Sequence, residues 1–356
     1  MAKEEKKAIG KKIFNLDEFK AGRKLDDGVK DKPLEFIQIS PAFQKTLGVS
    51  IPTGTVTILR GYSNTGKSTA LISAAIGCQR QGILPIIIDT ENGFKFEHAR
   101  EMGFEYREDI DEETGEVGQP KGQFIYIDND KLIRDYSKKK YGKDRDVAVI
   151  EDVADCVNDY LALQTNGELP MPLCFLWDSV GTLDCNKSIE SKSSNNQWNA
   201  GSIEQCFKSI LNYRIPASRK EGKPYTNTFV VVNKIWLDAM QGAGVVKNKG
   251  GEAIYYAARL IVHFGGIQSH ATKKLVAKAN GKDYIYGTQT KVSIDKNHVT
   301  GTSYKGELVS TAHGFIMPDD IELYKKENKA FILSKLGLSD MNTDISYIEE
   351  IGFDSE

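Results

Sequence analysis

Cysteine is scarce and poorly placed for cross-linking. The 356 residues hold five, an odd number, scattered at 78, 156, 174, 185 and 206 with no C-x-x-C spacing. That excludes a disulfide framework and a zinc knuckle, and it predicts reduced thiols in an intracellular setting. Cys78, Cys156 and Cys174 fall in apolar patterns and read as small core residues. Cys185 and Cys206 flank a polar stretch, with no neighbour that would make either a nucleophile. Long hydrophobic runs are missing too. None approaches the ~18 residues that suggest a membrane span, and Met1-Ala2-Lys3-Glu4-Glu5-Lys6-Lys7 carries no apolar signal core. Nor is one sign of charge in excess. Lys and Arg number 47 against 49 Asp and Glu, a net charge of −2, so any nucleic-acid surface must be local. What remains is 40% hydrophobic and 27% charged, which suits one large globular domain or a core with appendages.

One stretch stands out. Gly61-Tyr62-Ser63-Asn64-Thr65-Gly66-Lys67-Ser68 is a complete G-x-x-x-x-G-K-[ST] phosphate loop. A triphosphate needs many donors at close range, so the backbone must curl around it with its N–H groups inward. Gly61 and Gly66 permit that approach. The backbone of Ser63, Asn64, Thr65 and Thr69 completes the cradle. Lys67 reaches the outer phosphates, and the Ser68 hydroxyl can ligate Mg²⁺. Thr55-Val56-Thr57-Ile58-Leu59 before it reads as a buried strand. Residues 68–81 read as a helix whose N-terminus adds partial positive charge at the phosphates. The motif predicts ATP and Mg²⁺ as ligands.

Beyond the loop, strands and helices alternate. Residues 1–39 are charged and weakly patterned, except for the apolar island Ile13-Phe14-Asn15-Leu16-Asp17-Glu18-Phe19. That island is either a packed arm or a clasp on a neighbouring subunit. Apolar runs at 84–89, 124–127, 173–178, 229–233 and 260–264 predict strands, and Val149, Val153, Val157 and Leu161 recur at helical spacing. A second helix is expected over 94–102, a surface hairpin or loop over 104–123, and a solvated loop over 131–146, which holds seven basic residues against three acidic ones. A DNA-facing patch is the alternative for that basic segment. Asn280-Gly281 between alternating segments predicts a hairpin. Residues 317–339 read as a helical segment. The tail, 340–356, has six acids and no base and is expected to be mobile. The pattern predicts an α/β fold: a mostly parallel twisted sheet, helices on both faces, and hairpin strands near the C-terminus.

In a parallel sheet, ligands sit at the carboxyl edge, so strand ends there should converge on one site. Asp178, ending an apolar strand, is placed to organise Mg²⁺ together with Ser68. Glu91, just past another strand end, is the candidate base that orients water toward the γ-phosphate. Asp89 is its competitor, but as a strand residue it reads as a support of the fold.

Several of these segments, in order, resemble a known family. Asp89-Thr90-Glu91-Asn92-Gly93-Phe94, running on through His98-Ala99-Arg100-Glu101-Met102-Gly103, resembles the stretch after the second core strand of RecA-type recombinases. Leu176-Trp177-Asp178-Ser179-Val180 resembles their Walker B strand. Val231-Val232-Asn233-Lys234-Ile235 resembles the strand before their second DNA-binding loop. Gly250-Gly251-Glu252-Ala253 is similar to the close of that loop, and Asp295-Lys296-Asn297-His298 to the stretch that reaches a neighbour's nucleotide. The resemblance covers 40–316 and is closest in style to phage UvsX-like recombinases. It implies a RecA-like P-loop core with Glu91 as catalytic glutamate, aided by Lys67, Lys234 and Lys296. Asn233 and Lys234 take the place of the γ-phosphate switch, with a lysine where the family often has glutamine. His98 falls where an aromatic ring stacks on adenine. Lys296 would act in trans, with His298 replacing a second lysine.

The resemblance further implies DNA contact through two loops, one with Lys187, Lys192 and Trp198, the other with Val245, Val246, Lys247 and Lys249. Lysines would meet phosphates and an apolar side chain would wedge between bases. The implied activity is a DNA-dependent ATPase that polymerises head to tail on single-stranded DNA and pairs it with homologous duplex DNA. Single-strand-binding and mediator proteins would be its partners, in the cytoplasm, or the host cytoplasm for a phage protein. A ring-forming replicative helicase and a non-DNA ATPase switch of the same fold stay open as alternatives.

Overall fold

The computed structural model describes residues 15–23, 30–110, 118, 120–192, 196–237, 246–248, 252–265 and 272–352. Helix α1 (Leu16–Gly22) comes first, its N-terminus capped by Asn15, whose side chain accepts from Asp17 N and Glu18 N. It buries none of its residues, and Leu16 and Phe19 of the apolar island are exposed. Ile13 and Phe14 lie outside the described residues. Strand β1 (Phe36–Ile37), helix α2 (Pro41–Leu47) and strand β2 (Ile51–Pro52) follow, β1 and β2 pairing antiparallel.

The main body is an α/β structure on one large sheet. In chain order its first half comprises β3 (Val56–Gly61), α3 (Lys67–Arg80), β4 (Leu84–Asp89), α4 (Phe96–Glu101) and β5 (Ile125–Asp128). Next come α5 (Asn129–Leu132), a π turn, α6 (Lys138–Tyr141), α7 (Ile150–Thr165) and β6 (Leu173–Val180). Then follow α8 (Asn186–Glu190), α9 (Asn196–Ser209), a second π turn, α10 (Ile215–Ala217), β7 (Thr228–Leu237), β8 (Val246–Asn248), α11 (Ala253–Ala257) and β9 (Leu260–Phe264). Six strands in the spatial order β9-β3-β7-β6-β4-β5 are parallel. Being covered on both faces, they read as near-continuous apolar runs rather than alternating ones. Leu59, Val230, Val232 and Val262 pack with α3 on one face, while Ile58, Val231, Phe229 and Ile261 pack with α7 and α9 on the other.

The β9 edge carries antiparallel additions: β10 (Thr272–Ala279), β11 (Lys282–Asn297), β12 (Lys305–Thr311) and β13 (Gly314–Ile316). β10 and β11 are joined by the expected turn, with Asn280 and Gly281 at φ 51° and 72°. Helices α12 (Ile321–Glu327) and α13 (Lys329–Lys335) pack on this hairpin around Leu275, Tyr286, Tyr324 and Ile332.

Three expectations need correction. The tail is not all mobile: β14 (Ser346–Gly352) pairs antiparallel with β10, where Lys273 meets Glu349 at 3.4 Å and Lys278 meets Glu350 at 3.1 Å. Its acids were legible, but the lysines opposite them sit some 70 residues away in sequence. The basic segment is not a loop but mostly helical, from α5 through α6. Leu132 and Ser137 anchor it, and Ser137 donates to the buried Asp152, which also accepts from Val149 N at 2.9 Å. Within the polar stretch 184–202, residues 186–190 form α8 and 196–202 open α9, while 193–195 lie outside the described residues. The buried Asn199 ties it together, accepting from Cys185 N at 2.9 Å and Ser188 Oγ at 3.1 Å and donating to Asp184 at 2.7 Å. Of the 104–123 segment, Arg107 and Lys121 form an antiparallel bridge, and 111–117 and 119 lie outside the described residues.

Candidate active site

The phosphate loop joins β3 to α3. At Gly61 a Cβ would lie 2.1 Å from the carbonyl oxygen of Phe264, so only glycine lets β3 run this close to β9 as it turns out. Gly66, at φ 96°, starts α3 in a conformation that side chains avoid. Asn64 (φ 57°) sits at the exposed tip beside Ser63. Thr65 Oγ donates to Tyr62 O at 2.8 Å, and Lys67 Nζ donates to the same carbonyl, so the loop closes around its own buried lysine.

Four parallel strands, β3, β7, β6 and β4, end beside this loop. Ser68 Oγ donates to Asp178 Oδ2 at 3.2 Å, which places the two expected Mg²⁺ ligands together. Burial pushes the Asp178 carboxyl up to about 6, with the nearby Glu91 charge adding to the rise and the Ser68 hydrogen bond opposing it. A carboxylate so placed gains most from a cation. The adjacent Asp178–Ser179 peptide is cis.

Glu91 is held from two sides. Ser179 Oγ donates to its Oε1, and Lys234 Nζ donates to its Oε2 at 2.7 Å. Burial works to raise its carboxyl, but the Lys234 and Ser179 hydrogen bonds, then the charges of Lys234 and Lys67, outweigh it and hold Glu91 below the usual glutamate range. Asp89 plays the supporting part expected of it. It accepts from Glu91 N at 3.2 Å, Gly93 N at 3.1 Å, Phe94 N at 2.9 Å and the Tyr126 hydroxyl at 2.9 Å, locking the turn that carries Glu91. Asn233 is buried on β7, opposite Arg60 of β3 and Val180 of β6.

His98 lies on α4, where burial lowers its ring below the usual histidine range despite Glu101 at 3.8 Å. A neutral imidazole suits stacking better than hydrogen-bonded ion pairing. Sequence reasoning missed the wall opposite. The β12–β13 hairpin folds onto the loop, with Thr69 and Ser310 hydroxyls 2.6 Å apart and Phe315 packed beside Gly66. Ser310 and Phe315 carry no local signal, because their contact exists only after β12 joins the sheet. Thr90 was also missed.

Lys296 is not gathered to its own chain's loop. It donates to the Tyr255 and Tyr256 carbonyls at 3.1 Å each and stands over the Tyr255 ring, with burial and then Arg259 lowering its ammonium. His298 lies on the same side, lining a cleft with Tyr256 and Arg259. Among the predicted DNA residues, Lys187 and Trp198 come together, the ammonium 4.6 Å from the ring centre, bridging α8 and α9. Lys192 is exposed with φ 52° just past α8. Val246 and Lys247 lie on β8, paired antiparallel with β7 beyond Lys234. Val245 and Lys249 lie outside the described residues. No helix among the described residues is long and apolar enough to cross a membrane. Compared with protein families and with curated proteins, the chain matches none.

Proposed function

We propose that this chain is an ATP-dependent DNA recombinase of the RecA type, assembling as a head-to-tail filament on single-stranded DNA and promoting pairing with homologous duplex. One observation carries the reading. The strand ends bring a phosphate loop, a Ser68–Asp178 pair at 3.2 Å, and a carboxylate, Glu91, tied across β6 to the Lys234 cation of β7 at 2.7 Å. These are the parts that in-line phosphoryl transfer to water needs: a phosphate cradle, a metal position, and an oriented base.

Lys67 and the loop amides would hold the phosphates, and Ser68 and Asp178 would hold Mg²⁺, which would offset charge on the phosphates. Lys234 and Ser179 hold Glu91. A γ-phosphate competes for the Lys234 ammonium, which frees one Glu91 oxygen to take a proton from water. Lys234 directly precedes Ile235, where β7 begins to pair with β8, so its movement reaches the segment carrying Val246 and Lys247. Lys296, held on the Tyr255 and Tyr256 carbonyls rather than at its own loop, would leave them to reach a neighbour's nucleotide. Such a heterologous contact does not close on itself and grows a filament.

Imaging purified protein with ATP and single-stranded oligonucleotide tests the assembly. Open helical filaments support the reading. Closed rings would favour a translocating helicase, and monomers on DNA would refute the filament.

A further inference from the structure

Thr90 stands between the two acids of the Asp89-Thr90-Glu91 step and is 5% exposed. Its backbone and its hydroxyl are both engaged, and its carbonyl accepts from Asn129 Nδ2 at 3.2 Å. Thr90 N donates to Asp178 O at 2.7 Å, extending the β4–β6 ladder by one residue past Asp89. Its hydroxyl oxygen accepts from Ser179 N at 3.1 Å and from the Trp177 indole Nε1 at 3.2 Å. A hydroxyl has two lone pairs and one proton, and that proton faces Thr182 Oγ1 at 2.8 Å and the Ser179 and Asp178 carbonyl oxygens at 3.2 Å each, while Thr182 Oγ1 donates to Ser179 O at 2.8 Å. The chain of donors thus closes on both backbone groups of Ser179.

Ser179 needs this. The pairing of β6 with β7 breaks between Trp177 and Val180, so the neighbouring strand does not hold Asp178 and Ser179 in register. Thr90 and Thr182 supply the missing partners. Ser179 in turn donates its hydroxyl to Glu91 Oε1, and Glu91 is the residue that follows Thr90. We propose that Thr90 is a positioning residue for hydrolysis: its hydroxyl fixes Ser179, and Ser179 aims the Glu91 carboxylate. The inference rests on the ATP-hydrolysing reading above and adds to it a residue that touches neither phosphate nor metal.

The test uses the full chain with single-stranded DNA. Thr90→Val keeps the branched shape and removes the hydroxyl; Thr90→Ser keeps the hydroxyl. The valine variant should lose on the order of 100-fold in kcat, the scale of a displacement of about 1 Å in a reacting group. Its KM for ATP should hold, since the phosphate loop is untouched. The serine variant should recover most of the rate. Ser179→Ala leaves the Thr90 contacts in place and should reproduce the loss, and the double variant should lose little more, because both act through one hydrogen bond. Wild-type turnover in either single variant, additive losses, or a serine variant as slow as the valine would overturn the proposal.

A second readout needs no turnover. Thr90→Val should move the Trp177 indole proton resonance and speed hydrogen exchange at the Ser179 amide. If both stay as in wild type, the positioning claim fails whatever the rates. A wild-type protein that does not hydrolyse ATP removes the functional reading instead, and Ser179 amide exchange then decides the Thr90 claim by itself.

Discussion

Replacing Asp178 by asparagine should make the nucleotide-free protein more stable, and by an amount that depends on pH. In the folded chain the Asp178 carboxyl is raised from 3.8 to about 6, first by burial and then by Glu91. Because the folded value lies above the unfolded one, the cost of ionising Asp178 is absent at low pH, grows as pH climbs from the unfolded value to the folded one, and is constant above. Asparagine escapes it while keeping an oxygen that can accept from Ser68. The linkage relation gives about 3 kcal/mol at pH 7.5 and about half of that at pH 5. Denaturant unfolding of wild type and Asp178→Asn at both pH values, with neither nucleotide nor Mg²⁺, measures the difference. An asparagine variant no more stable at pH 7.5, or a gain that does not shrink toward pH 5, would refute the reasoning. With Mg²⁺ and ATP added the order should reverse, because the cation rewards the carboxylate.

Glu91→Gln should bind ATP and DNA yet hydrolyse about 100-fold or more slowly; turnover near wild type removes Glu91 as the base. Lys234→Ala should leave ATP affinity close to wild type while uncoupling hydrolysis from DNA, read as loss of the DNA-dependent increment in rate. Gly61→Ala should destabilise the fold by about 3 kcal/mol or more, since its Cβ would meet the Phe264 carbonyl at 2.1 Å, and thermal melting checks this. In mixtures, Lys296→Ala and Lys67→Ala chains, each inactive alone, should restore some turnover, because one supplies the loop and the other the reaching lysine.

The legible parts of this molecule were those with a local cause. Gly61 and Gly66 announce the loop through backbone freedom, and the apolar runs that end in Asp89 and Asp178 announce buried parallel strands. Asn280-Gly281 announces its own turn. The illegible parts depend on partners far away in sequence. Ser310 and Thr69 are 2.6 Å apart but 241 residues apart in the chain, and no pattern near either residue encodes the meeting. The acidic tail reads as mobile because an edge strand of mixed polarity looks like a tail until its lysine-bearing partner β10 is known. The segment with Lys187 and Trp198 reads as a loop because its described parts, α8 and the start of α9, are tied by one buried amide, Asn199, whose three partners are all polar groups. Thr90 carries no local signal, since its value lies in the break of the β6–β7 ladder rather than in its own sequence neighbours.

The rate of ATP hydrolysis with and without single-stranded DNA is the most direct test. An active site whose Glu91–Lys234 tie is loosened when the β7–β8 segment engages a strand should turn over slowly alone and much faster with DNA. A rate that does not change with DNA would contradict the account.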